Sequence, residues 1–125
     1  MPRYISIVFT KPSSSAREAE FNDWYTNQHV PDVLEVPGIV SCQRFRMLES
    51  TRSPFAYRYA AVYELDTDDV PAVMAEVGRR ARTDRMPMND AMSDDRIYLD
   101  FEPVSPVITA ADVAVQRGRK KGSAD

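Results

Sequence analysis

Twice along the chain, a run in which every second residue is apolar gives way to a helical repeat and then returns to alternation. Tyr4 to Phe9 (YISIVF) is short, apolar and rich in β-branched or aromatic residues, and reads as a strand. Ser15 and Glu18 have the S-x-x-E spacing of a capping box, which predicts a helix through Phe21, Trp24, Tyr25 and Gln28 towards His29. Pro31 has no N–H for the carbonyl four residues back, so a kink or restart is expected there, and Pro37-Gly38 ends the helical stretch. Ile39 to Leu48 alternates as a second strand, with Ile39, Ser41, Gln43, Phe45 and Met47 on one face and Val40, Cys42, Arg44 and Arg46 on the other. Tyr57 to Leu65 alternates as a third. Asp68 or Asp69 then caps a second helix with Pro71 in its first turn, Val70, Val73, Val77 and Ala81 as its buried stripe, and Arg79, Arg80 and Arg82 in its last turn. After an irregular stretch from Thr83 to Asp95, Arg96 to Val104 forms a fourth strand with Ile97, Leu99 and Phe101 on one side.

The order is β-α-β-β-α-β, the split arrangement of the ferredoxin-like α+β fold, with a four-stranded antiparallel sheet and both helices on one face. The other face needs a cover. Packing sheet to sheet against a second copy is the economical solution; a monomer with one solvated face is the alternative. Residues 1–108 make the domain, and 109–125 a C-terminal extension whose end, from Gln116, has the basic and small polar composition of a disordered tail.

Composition excludes several classes. A chain of 125 residues with 16 basic and 19 acidic side chains, well mixed, supports one domain and gives no electrostatic case for nucleic acid. No apolar run approaches a membrane span, and no signal segment is evident. The single cysteine rules out an internal disulfide framework and a cysteine-rich zinc site, and with the missing signal points to the cytoplasm.

The segment Phe21 to Phe45 (FNDWYTNQHVPDVLEVPGIVSCQRF) resembles the dimeric α+β-barrel superfamily, and within it the EthD-like proteins. The resemblance is carried by Trp24, Tyr25, His29, Pro31, Leu34, Val36, Pro37 and Gly38, which match a W-Y-x-x-x-H-x-P helix followed by a V-P-G turn. Members of that superfamily include polyketide cyclases, cofactor-free monooxygenases, lactone isomerases and haem-using enzymes. The resemblance implies a homodimer and a pocket for a small hydrophobic or aromatic ligand.

His29 is the only histidine, and an imidazole moves protons near neutral pH. Tyr25 lies one helical turn before it and Asp32 nearly one turn after. Asp32 is placed to fix the tautomer of His29, and Tyr25 to hold a substrate carbonyl. The residue pattern equally allows His29 to cap a frayed helix end. Asn22, Trp24, Tyr59 and Arg44 are the candidate substrate contacts, although Trp24 and the tyrosine stripe also suit core packing and Arg44 suits a cross-strand ion pair. Cys42 reads as a small buried hydrophobe. Met86, Met88 and Met92 form either a flap over a pocket or a plug at the end of the second helix. One histidine among scattered carboxylates makes no closed metal site; it would suffice for haem, but haem relatives are usually larger, so no metal and no cofactor is expected. The function this predicts is cofactor-independent proton transfer (isomerase, cyclase or lyase type) on a small hydrophobic or aromatic carbonyl compound, with His29, Tyr25 and Asp32 catalytic. A non-catalytic small-molecule binder and a cofactor-free monooxygenase are the alternatives.

Overall fold

A computed structural model describes the backbone of residues 3–123 and side chains as far as Arg119. Strands β1 (Arg3–Thr10), β2 (Ile39–Arg46), β3 (Tyr59–Asp66) and β4 (Ile97–Phe101) form one sheet in the order β2-β3-β1-β4, every neighbouring pair antiparallel. One helical stretch, with α1 (Glu18–Trp24) and α2 (Val30–Leu34), joins β1 to β2, and α3 (Val70–Arg80) lies between β3 and β4. This is the ferredoxin-like α+β fold that the element order predicts.

The two faces of the sheet differ in a way the pairing makes plain. On the helix side, Tyr4 opposes Leu65, Ser6 opposes Tyr63, Val8 opposes Ala61 and Thr10 opposes Tyr59. Ser6, Val8, Thr10, Tyr59, Ala61, Tyr63 and Leu65 are all buried there, beneath Phe21, Tyr25, Val33, Val36 and Val73. Burying a side chain such as Leu65 or Phe21 contributes about 1.5–3 kcal/mol. The outward face carries Ile5, Ile7 and Phe9 of β1 beside Leu99, Ile97 and Phe101 of β4. β1 therefore turns its hydroxyls inward and its largest aliphatic groups away from the helices.

Several local expectations are corrected. The Ser15–Glu18 capping box does not form. Ser15–Arg17 is a single 3-10 turn with no side-chain cap, and the Glu18 carboxylate instead accepts a hydrogen bond from the Tyr59 hydroxyl. Nor does the helix break at Pro31. Tyr25–His29 is a π-helical turn in which the Val30 N–H donates to the Tyr25 carbonyl, five residues back, and α2 follows without interruption. In a regular α-helix the ring of Pro31 would collide with the carbonyl of Asn27, and widening the preceding turn relieves that collision. Strict alternation puts Ile39 with Ser41, Gln43 and Phe45. A bulge between Ile39 and Ser41 moves it to the helix side with Cys42 and Arg44.

Strand ends also shift. β2 and β3 part beyond the Arg46–Tyr59 pair, leaving Tyr57 in the loop with its hydroxyl on Asp95 at 2.6 Å. β4 stops at Phe101, ahead of Pro103, which has no N–H for a ladder. Asp69 caps α3 as expected, accepting from the Ala72 N–H at 3.1 Å. Composition from Gln116 reads as unstructured, yet α4 (Ala110–Ser123) continues helical through Ser123; residues 124 and 125 of that expected tail lie outside the described residues. Among the described residues no helix is long and apolar enough to cross a membrane.

Candidate functional site

The π-turn positions the candidate imidazole. Bonds spanning five residues bring side chains five apart, as well as four apart, onto one face. His29 accordingly meets both Trp24 and Tyr25: its ring stacks on Trp24 with centroids 4.9 Å apart and meets Tyr25 edge-on at 5.0 Å. His29 is 8% exposed, and its Nδ1 is buried without a hydrogen-bond partner among the described residues. A buried polar atom left unpaired in this way is uncommon and calls for a physical account.

His29 lies at the wall of a cavity of about 350 Å³ between the helix face of the sheet, the first helical stretch, α3 and the segment after α3. Val33, Met74 and Val77 supply apolar wall. Met86, Met88 and Met92 line it too, but not as a free flap. Met86 and Met92 are buried, and backbone bonds from Arg82 N–H to the Met86 carbonyl (2.9 Å) and from Ser93 N–H to the Lys11 carbonyl (3.0 Å) tie the segment down. Tyr63 and Tyr98 bring further hydroxyls.

Burial is the largest influence on the titrating groups here. It lowers the imidazole of His29 to about 4, helped by the charges of Arg96 and Arg44 and opposed by that of Asp32. At neutral pH the ring is uncharged. Burial raises the Tyr25 phenol to about 12, with smaller offsets from Tyr63 and Arg44, and pushes Tyr63 well above its usual value. Both therefore remain phenols. The Cys42 thiol is raised to about 11, again chiefly by burial, so it is not a thiolate nucleophile at neutral pH.

Of the seven residues proposed from sequence, Tyr25 and His29 line the cavity together. Asp32 does not line it. Its Oδ2 accepts from Gln28 Nε2 at 2.8 Å, and it reaches His29 only through its charge, not through the expected hydrogen bond. Trp24 braces the imidazole from its other face. Asn22, Tyr59 and Arg44 gather behind Tyr25. Asn22 Nδ2 donates to the Tyr59 hydroxyl at 3.0 Å, while Arg44 donates to Asn22 Oδ1 and to Thr26 Oγ1, both at 2.9 Å. The Arg44 guanidinium lies 4.4 Å from the Tyr25 ring centre. Among the described residues Arg44 makes no cross-strand ion pair, and Glu64 pairs with Arg3 at 2.8 Å instead.

Sequence reasoning missed Arg82, Arg96, Gly78 and Tyr98, all of which line the cavity. One signal was available: Arg82 and Arg96 bracket the long irregular stretch with its three methionines, and loops of that length are usually functional.

The fold and the site together define a ferredoxin-like α+β domain with a ligand-sized cavity on its helix face. Neither a protein-family model nor a curated protein matches the sequence. Solved structures of the same fold do. The haem degrader MhuD from Mycobacterium tuberculosis, with two haems bound in its active site, is 17% identical with a TM-score of 0.58, covering 83% of this chain and 98% of that one. An ethyl tert-butyl ether degradation (EthD) family protein from Bacillus halodurans is 16% identical with a TM-score of 0.54 over 83% of this chain and 100% of its own. A DABB family protein with a ferredoxin-like fold from Mesorhizobium loti is 12% identical, with a TM-score of 0.53 over 84% and 100%. These likenesses show the fold alone: this chain shares the ferredoxin-like α+β fold of those structures.

Proposed function

We propose that this protein is a cofactor-independent enzyme that moves a proton on a small hydrophobic or aromatic carbonyl compound held in the helix-side cavity. The observation that carries this reading is an uncharged, largely buried imidazole with an unpaired Nδ1 at the wall of a mostly apolar cavity of about 350 Å³. His29 is ready to accept a proton at pH 7, and the neutral Tyr25 hydroxyl is a donor for a carbonyl oxygen. A base held near 4 pulls efficiently only on acidic carbon. That favours protons flanked by two carbonyls, or protons whose loss completes an aromatic ring. Asp32 offsets part of the cost of the imidazolium by charge alone.

Isotope exchange tests this reading even where the product has not been identified. Aromatic β-dicarbonyl compounds are incubated with the protein in deuterated water, and exchange of the carbon-bound proton is followed by NMR. We expect exchange that falls about 10²–10⁴-fold in His29→Ala, the usual contribution of a general acid–base group. Binding without exchange leaves a non-catalytic binder, and oxygen uptake indicates a monooxygenase. A neutral histidine is also the donor haem iron takes, and one neighbour of this fold holds haem. A hemin titration with a Soret shift that depends on His29 would replace the acid–base reading.

We further propose that two copies pair through the outward sheet face, on the apolar side of β1 and β4.

A further inference from the structure

Arg96 is a charge largely withdrawn from water whose ion pairing is long and exposed. Its side chain is only 16% exposed, yet its nearest carboxylate, on the solvent-facing Asp94, is 3.9 Å away, and its other contact is the Met92 sulfur at 3.8 Å. A guanidinium withdrawn from water normally has a close, well-formed anionic or carbonyl partner. Arg96 lines the same cavity as His29, and its charge is felt at the imidazole. Arg82, also on the cavity wall, makes no ion pair among the described residues, and its backbone is held at φ 68, a conformation unusual for a side chain of this size. Asp100 is the one carboxylate on the wall, and it lies beyond ion-pair distance of both arginines. With His29 uncharged, the lining carries two cations against one anion.

We infer that the cavity binds an amphipathic anion, with an apolar or aromatic body against the methionines and Tyr63 and a carboxylate or enolate oxygen on Arg96. This deepens the function proposed above and rests on the same cavity being the working one. Arg96 then both selects the ligand and steadies negative charge arising on it beside His29. The geometry favours an oxyanion over a neutral ligand because a neutral one would leave the largely covered Arg96 with only the solvent-facing Asp94 at 3.9 Å as counter-charge.

Two probes of one shape test it: para-tert-butylbenzoate and para-tert-butylacetophenone, which differ only in carboxylate against acetyl. Calorimetry measures binding, and quenching of Trp24, the sole tryptophan, which stacks on His29, reports it independently. We expect the benzoate to bind more tightly than the ketone. Arg96→Gln should weaken the benzoate about ten- to hundredfold, as expected for a lost charge-assisted hydrogen bond, and leave the ketone within about twofold. Arg96→Lys should restore part of the loss, and added salt should weaken the benzoate alone. Gly78→Phe supplies the control for location. Gly78 is on the cavity wall, and a Cβ there meets nothing within 4 Å, so a bulky side chain can be added at that wall without displacing a neighbour. If Gly78→Phe abolishes both probes while Arg96→Gln weakens both equally or neither, the cavity stands and the anion assignment falls. If Gly78→Phe leaves binding intact, or wild-type protein binds neither probe, the cavity reading and the assignment fall together. Should Arg96→Gln not fold, the Lys variant and the salt dependence decide the same question.

Discussion

His29 has a measurable consequence even before a substrate is known. Its folded value of about 4 lies below the usual 6.5, so between those values the unfolded chain takes up a proton that the native protein refuses. Stability is therefore full above about pH 6.5 and declines as pH falls towards 4, by an amount on the order of 3 kcal/mol. Urea unfolding at a series of pH values should show this slope in wild type and a flatter one in His29→Gln, with the carboxylates common to both cancelling in the comparison. The same shift places the acid limb of any kcat/KM profile near pH 4, not near 6.5. The pairing of Tyr25 with His29 was legible in the sequence because four residues separate them. The role of Asp32 was not, because Gln28 sits four residues before it and captures its carboxylate. Nothing in the spacing shows which of two equivalent neighbours wins. Arg96 was missed for a different reason: its place at the end of the irregular stretch hinted at a role, but its significance lies in the close partner it lacks, and only the fold reveals that.

At the scale of elements, one residue in the turn before β2 and one in β2 set the helix against the sheet. Gly38 has φ 98, and a Cβ there would stand 2.9 Å from Val73 Cγ2. Gly38→Ala imposes both a left-handed conformation on an L-residue and a clash with the buried stripe of α3. We expect a loss of about 1–3 kcal/mol in denaturant unfolding. Arg44 fixes the first helical stretch from beneath through Asn22, Thr26 and the face of Tyr25. Arg44→Met keeps the stem and removes the hydrogen bonds, and should cost about 1–3 kcal/mol while loosening Tyr25 against the cavity. Element types were legible from periodicity because a half-buried strand and an amphipathic helix leave different repeats. The π-turn and the β2 bulge were not, since each inserts a residue without changing composition. Those insertions decide the site: the π-turn is what lets Trp24 reach the imidazole, and the bulge returns Ile39 to the cavity wall.

For the whole molecule, the question is what covers the outward sheet face. Ile5 is 43% exposed, Phe45 48%, Leu99 42% and Phe101 47%, and Ile7, Phe9 and Val62 lie among them. A contiguous apolar surface of this kind is uncommon on a monomer and marks an interaction site. The sheet is antiparallel with the first helical stretch and α3 packed on the other side, so a second such sheet could be received at the usual spacing of about 10 Å. A charge sits on this face: Glu64 of β3, opposite Ile5, is held by Arg3 at 2.8 Å. Leu99 and Phe101 occupy alternate positions on β4 opposite Ile7 and Ile5, so substitutions there touch the outward face and leave the cavity lining intact. Leu99→Glu with Phe101→Glu should convert a dimer of wild-type chains to monomers in analytical ultracentrifugation, with the circular dichroism of the fold retained, because like charges would be buried against each other across a two-fold axis. A wild-type chain that sediments as a monomer at micromolar concentration would instead leave this face to solvent, and the apolar stripe of β1 and β4 would then need a different partner.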